Sequence, residues 1–226
     1  MTAAASLRPR PGAILFDLDG TLIDSAPDLA GACNDMRIAR GHEPIAFERL
    51  RTMVGSGARG MVGAGFALAP GDPGYAELRA EFLRRYEARM TQETRVFAAV
   101  SPLLERLERE GLPWGIVTNK AAQLAEPLVA QLGFAAAAAA IVCGDTTPHS
   151  KPHPAPLLEA ARRVGVAPGR CVYVGDDRRD VDAGRAAGML TIVAAWGYLG
   201  IDGPPESWGA DAIISRPDEL LPLFEA

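Results

Sequence analysis

Four short polar segments carry side chains that could act together on one reacting centre. Asp17-Leu18-Asp19-Gly20-Thr21 offers two carboxylates, then a glycine and a hydroxyl. Thr118-Asn119-Lys120 adds a second hydroxyl, and Lys151-Pro152-His153-Pro154 adds an ammonium. Gly175-Asp176-Asp177, with Asp180 shortly after, supplies further carboxylates. Gathered at one edge, these groups would include at least four carboxylates. Carboxylates in such a cluster repel one another unless cations neutralise them. Lys151 offsets one charge, and a divalent metal would offset two more. Oxygen ligands with no His or Cys nearby favour Mg2+ over zinc. Mg2+ takes one or two carboxylates plus a substrate phosphate oxygen and keeps waters. Asp17, Asp176 and the main-chain carbonyl of Asp19 fit that role.

The elements that must position these groups are legible as short apolar runs. Ala13–Phe16, Trp114–Val117, Ala140–Cys143, Cys171–Val174, Leu190–Ala194 and Ala212–Ile214 have few internal polar residues. Buried parallel strands read this way. Between them, leucines at helical spacing precede Gly111, Gly133 and Gly165, where helices would stop. Alternation of strand and helix predicts an α/β doubly wound parallel sheet. The polar groups fall at the carboxyl ends of the runs, where ligands bind in open α/β sheets.

One interval breaks the alternation. The first and second runs are separated by far more chain than the roughly 30 residues of a single crossover unit. The surplus reads as helices, beginning at Ser25-Ala26-Pro27-Asp28, with Phe66, Leu68, Leu78, Phe82, Leu83 and Tyr86 as apolar faces. The expected division is a Rossmann-like core of residues 1–24 and 96–226 with an inserted helical domain of residues 25–95.

The segments FDLDGTLIDS (Phe16–Ser25), IVTNK (Ile116–Lys120), SKPHP (Ser150–Pro154) and VGDDRRDVDAGRAAGM (Val174–Met189) resemble, in order, the four motifs of the haloacid dehalogenase superfamily. The insertion resembles that superfamily's cap of the first type. VGSGARGMV (Val54–Val62) and SWGADAIISRPDEL (Ser207–Leu220) are similar to segments of its phosphoglycolate phosphatases and of the related N-acetylmuramic acid 6-phosphate phosphatases. The resemblance implies a Mg2+-dependent phosphatase of small phosphorylated metabolites. Asp17 is the implied nucleophile, forming an aspartyl-phosphate, and Asp19 the acid and then the base. Thr118 and main-chain N–H groups near Asn119 would hold phosphoryl oxygens, Lys151 would neutralise charge, and Gly20 would turn the chain. Asp176 and Asp180 would serve the metal with Asp17 and Asp19. Asp177 stands where the family often has a small polar residue, which leaves its part in metal binding open.

Other readings compete. Phosphotransfer to a sugar hydroxyl, as in the family's mutases, would use the same residues. Dehalogenases generally lack the second acid of the pair, so Asp19 argues against that chemistry. A non-catalytic phospholigand-binding protein would not need the full set. In the cap, Gly55 and Gly57 read as a helix start or a substrate-facing loop, and Arg59 as a contact to a substrate carboxylate or a surface residue. Asn119 could cap the next helix. Asp24 and Asp28 read as helix-start acids, His149 and His153 as loop polarity, and Asp182 with Arg185 as an exposed helix pair.

Composition narrows the partners. The net charge is −5 and no Lys/Arg run suits nucleic acid or a membrane surface. Cys33, Cys143 and Cys171 are widely spaced, which predicts reduced thiols in a cytoplasmic protein. The start MTAAASLRPRPG has no apolar region of a signal peptide, and no run suits a transmembrane helix.

Overall fold

The computed structural model describes residues 10–225. Most of the start read above as lacking a signal peptide lies outside the described residues. The first strand, β1 (Ala13–Phe16), leads through a tight loop to a two-residue strand, β2 (Ile23–Asp24). Helices α1 (Ala26–Ile38), α2 (Phe47–Arg51), α3 (Gly57–Phe66) and α4 (Tyr75–Glu87) follow. Strand β3 (Arg95–Val96) returns antiparallel to β2. The chain then alternates α5 (Val100–Arg109), β4 (Trp114–Val117), α6 (Ala122–Gln131), β5 (Ala140–Val142), α7 (Ala155–Val164), β6 (Cys171–Gly175), α8 (Arg178–Ala186) and β7 (Leu190–Ala194). A last strand, β8 (Ala212–Ile214), closes the series.

The large sheet has the order β5-β4-β1-β6-β7-β8, with every pairing parallel. Helices cover both faces, so both sides of each central strand are buried and no polar alternation appears. Ile14 and Phe16 of β1 pack with Trp114, Ile116 and Leu107 on one face. Ala13 and Leu15 pack with Val142, Leu157 and Tyr173 on the other. The six strands follow the six apolar runs of the sequence, with end shifts of one residue at β5 and β6.

The order places β1 between β4 and β6, so the chain winds one way to β4 and the other to β6. A crevice opens at such a switch point, beyond the carboxyl ends of the strands. Asp17, Thr118 and Asp176 each follow or end one of these three strands, and pairing alone brings them together. The Asp17 N–H donates to the Val174 carbonyl at 2.9 Å, which ties the first residue past β1 to the end of β6.

The inserted helices pack in a separate apolar cluster that includes Cys33, Met36, Leu50, Met61, Phe82 and Tyr86, joined by Leu124 and Tyr198 from outside the insertion. Their entry and exit are held together by β2 and β3, which are too short to show any periodicity in the sequence. Asp28 lies in the first turn of α1, as its reading required, but it is wholly buried. It accepts from the Glu93 and Thr94 N–H groups and from the Thr94 hydroxyl, at 2.8–3.0 Å. It therefore clamps the entry of the insertion to its exit. Asp182 pairs with Arg178 at 3.7 Å, not with Arg185 as expected; residues three and four apart both lie one helical turn away, and the structure takes the N-terminal partner four residues back. His149 and His153 stack at 4.3 Å in the loop before α7, and the His153 Nδ1 accepts from the Ala155 N–H. All three cysteines are buried and unbridged. Among the described residues no helix is long and apolar enough to cross a membrane.

Candidate active site

Asp17 emerges from β1 with its carboxylate 2.7 Å from the Lys151 ammonium. Lys151 is only 3% exposed and also meets Asp180 at 2.7 Å. The Val117 carbonyl at 2.9 Å and the Tyr173 hydroxyl at 2.8 Å also surround the nitrogen and share its third N–H. A buried ammonium is tolerated only when its hydrogen-bonding capacity is met in this way. Burial works to lower the Lys151 pKa, but Asp17 and Asp180 outweigh it and hold the group charged.

Asp176, at the end of β6, completes a triad with Asp17 and Asp180. Each can bring a carboxylate oxygen within 4.8 Å of the others. Asp176 is oriented by the Thr21 hydroxyl at 3.0 Å and the Tyr198 N–H at 2.7 Å. Gly20 is what allows this approach. Its φ is +86°, and a Cβ there would fall 2.2 Å from the Asp176 Oδ2.

The triad carries more negative charge than its protein partners cover. Burial raises the Asp17 carboxyl to about 7, against the pull of Lys151. Burial and then the neighbouring Asp17 and Asp180 raise Asp176 well above the usual carboxylate range. One ammonium facing three close carboxylates leaves two charges uncovered. The donor set is oxygen alone, without His or Cys. It fits a divalent cation.

Asp177 is not part of this triad. Its side chain caps α8 by accepting from the Arg179 N–H at 2.9 Å, and the Arg179 guanidinium grips it at 2.7 and 2.9 Å. Burial works to raise its pKa, but Arg179 prevails and holds it below the usual range. Asp180 reaches back to the Asp177 N–H at 3.1 Å, so the same capping box fixes a member of the triad.

Asp19 faces a different lysine. Its Oδ1 accepts from the Ser25 hydroxyl and lies 3.1 Å from the Lys120 ammonium. Thr118 is 2% exposed, and its hydroxyl accepts from the Lys120 N–H at 3.1 Å. Asn119 does not cap α6, whose cap position is Ala121. Its amide pairs twice with the Lys151 main chain, each bond 2.9 Å, and so holds the loop that presents Lys151.

These groups floor a cavity of about 470 Å³ whose opposite wall comes from the insertion. Gly55 and Arg59 line that wall, as do Phe82, Leu83 and Tyr86. Gly57 begins α3 and also lines the cavity. Gly55 sits against the core: its carbonyl accepts from Arg179, and a Cβ would come 2.8 Å from the Asp177 Oδ2. A second contact stacks Arg51 over the Tyr198 ring at 4.9 Å and bonds it to the Gly197 carbonyl at 3.2 Å.

Sequence reasoning assigned no role to Tyr173, Tyr198, Arg179 or Lys120, and read Tyr86 only as part of an apolar helix face. Tyr198 had a usable signal, because it follows β7 at the same carboxyl edge. Its hydroxyl accepts from the Ser25 and Ala26 N–H groups and donates to Asp24, so it braces the start of the insertion.

A parallel sheet with strand-end carboxylates and a helical insertion over them defines a class of Rossmann-like hydrolases. The chain belongs to the haloacid dehalogenase-like hydrolase family, whose model matches residues 14–194. It is 48% identical over 210 residues to a phosphoglycolate phosphatase of Xanthomonas campestris pv. campestris, covering 93% of this chain and 95% of that one. It is 42% identical over 218 residues to an N-acetylmuramic acid 6-phosphate phosphatase of Pseudomonas aeruginosa, covering 96% of each. A solved structure from Haemophilus somnus, described as a predicted phosphoglycolate phosphatase, shares the fold with a TM-score of 0.84 at 24% identity, covering 96% of this chain and 99% of that one.

Proposed function

We propose that the chain is a Mg2+-dependent phosphomonoesterase that works through an aspartyl-phosphate on Asp17. The core of residues 1–24 and 96–226 carries the chemistry, and a cap of residues 25–95 reads the leaving group. The observation that carries this reading is the Asp17 carboxylate at the cavity floor, 2.7 Å from Lys151 and within the acidic triad. A carboxylate can approach a phosphate dianion only where positive charge offsets their repulsion. Mg2+ bound by Asp17, Asp176 and the Asp19 carbonyl, with Asp180 direct or through water, would supply charge against the phosphate oxygens.

The chain's own groups then divide the work. An Asp17 oxygen bonds to phosphorus as the bond to the leaving oxygen breaks, and Asp19 gives that oxygen a proton. Water next attacks the phosphorus, its proton returns to Asp19, and Asp17 is released. Thr118 and the N–H groups near Asn119 hold the phosphoryl oxygens, and Lys151 offsets their charge. Gly20 and Gly55 allow close approach, and Arg59 meets an anionic group on the substrate.

The names of the relatives support phosphoglycolate, at 48% identity, and also N-acetylmuramic acid 6-phosphate, at 42%. A second reading, N-acetylmuramic acid 6-phosphate, is favoured by the cavity, which has more room than a two-carbon acid fills. Phosphate release from both compounds and from p-nitrophenyl phosphate, with Mg2+, Ca2+ or excess EDTA, tests the proposal. Turnover is expected with Mg2+, weak with Ca2+ because its looser coordination misplaces the attacking carboxylate, and absent with EDTA. Undiminished turnover in EDTA would overturn it.

A further inference from the structure

Lys120 is a buried ammonium that the phosphoryl chemistry does not use. Its side chain is 8% exposed, and burying an unpaired ammonium costs several kcal/mol. Lys151 already serves Asp17 and Asp180, so Lys120 is not needed there. Its partners come from opposite sides of the cavity. One is the Asp19 Oδ1 at 3.1 Å, at the core edge. The other is the Tyr86 hydroxyl at 2.7 Å, on α4 of the insertion, with the ammonium 4.5 Å from the ring centroid. Tyr86 is itself fixed, 1% exposed and stacked parallel to Phe82 at 6.3 Å. Burial works to lower the Lys120 pKa, and Asp19 and Tyr86 outweigh it, so the group stays charged.

The contacts to Asp19 are one-sided. Lys120 and the Ser25 hydroxyl both reach Oδ1, and among the described residues no hydrogen bond to Oδ2 is found. A carboxyl pinned at one oxygen presents the other in a fixed direction. We propose that Lys120 is a positioning residue for Asp19 and that Tyr86 of the insertion holds it in place. This rests on Asp19 being the acid–base group. Lys120 fixes Oδ1, and Oδ2 is the oxygen that passes the proton to the leaving group. The helix that walls the leaving-group side of the cavity thereby also sets the acid.

A leaving-group comparison tests this. Departure of p-nitrophenolate needs little protonation, whereas an alkoxide leaving group needs the acid. The quantity to follow is kcat/KM, which reports the steps through leaving-group departure. The two substrates are p-nitrophenyl phosphate and whichever of phosphoglycolate and N-acetylmuramic acid 6-phosphate the unaltered protein hydrolyses faster. In Lys120→Met the ratio of alkyl to nitrophenyl kcat/KM is expected to fall about 10- to 100-fold, the scale of a misplaced catalytic group. Lys120→Arg should restore most of it. Tyr86→Phe, which removes one oxygen and keeps the ring, should lower the ratio about 3- to 10-fold. It carries the test if Lys120→Met fails to fold. An equal loss on both substrates, or an unchanged ratio in both variants, would overturn the proposal. Asp19→Asn separates the two levels: it must lower the same ratio, and if it does not, the acid–base role of Asp19 fails first.

Discussion

The two walls of the cavity are built on opposite plans. At the strand ends the carboxylates and the ammonium are held by fixed polar neighbours: Lys151 between Asp17 and Asp180, Asp176 between the Thr21 hydroxyl and the Tyr198 N–H. Across from them Arg59, Arg79 and Arg84 line the cavity while exposed, and none has an ion-pair partner among the described residues. Groups held in this way cannot adjust to different ligands, which suits the constant part of a substrate, its phosphoryl group. Exposed arginines beside apolar Phe82 and Leu83 can meet a variable part. Changes to the groups that meet the phosphoryl group, Asp17, Lys151 and Asp176, should therefore damage turnover of every substrate, whereas changes on the insertion should discriminate between substrates.

The largest effect is expected at the nucleophile. Asp17→Asn should lower kcat by about 10⁴-fold or more on all substrates alike, the scale seen when an attacking group is removed. Far-UV circular dichroism should show the fold kept, because Asp17 stands beyond the end of β1. A loss confined to one substrate would break the comparison.

Two glycines sharpen it next. Both have positive φ, +86° at Gly20 and +56° at Gly57. At Gly20 a side chain would also strike Asp176 and the Tyr198 ring, whereas at Gly57 nothing lies within 4 Å. Gly20→Ala should cost about 2–4 kcal/mol in chemical denaturation and about 100-fold in kcat. Gly57→Ala should cost only the backbone strain, about 1–3 kcal/mol, with no added clash. Equal costs would mean that the crowding around Gly20 has no energetic weight.

A smaller effect than at Asp17, and one confined to a single substrate, is expected at Arg59. Arg59→Ala should lower kcat/KM for the carboxylate-bearing substrate about 10- to 100-fold relative to p-nitrophenyl phosphate, matching loss of a charge-assisted hydrogen bond of about 1.5–3 kcal/mol. An unchanged ratio would make it a surface residue and leave the specificity to Arg79 and Arg84.

What the sequence made legible follows the same division. The strands declare themselves by continuous apolar runs, because both faces of a covered parallel sheet are buried. The residues just past them then converge through topology alone. Long-range side-chain contacts leave no such trace. Nothing near Lys120 in the chain points to Tyr86, which lies 34 residues earlier on a helix of the insertion. Asp28 looked like an ordinary helix-start acid, since its partners at Glu93 and Thr94 are brought to it only by the pairing of β2 with β3. Asp177 offered one more carboxylate whose part in metal binding the sequence left open, and in the structure Arg179 and the first turn of α8 engage its oxygens.

The most direct test of the central claim is to trap the intermediate. The protein is mixed with Mg2+ and p-nitrophenyl phosphate, acid-quenched within the first turnover, digested, and its peptides are weighed by mass spectrometry. The proposed mechanism predicts phosphate on the peptide containing Asp17, localised to that residue and absent from Asp17→Asn. Phosphate on another residue, or steady turnover with no phosphorylated peptide at any quench time, would contradict it.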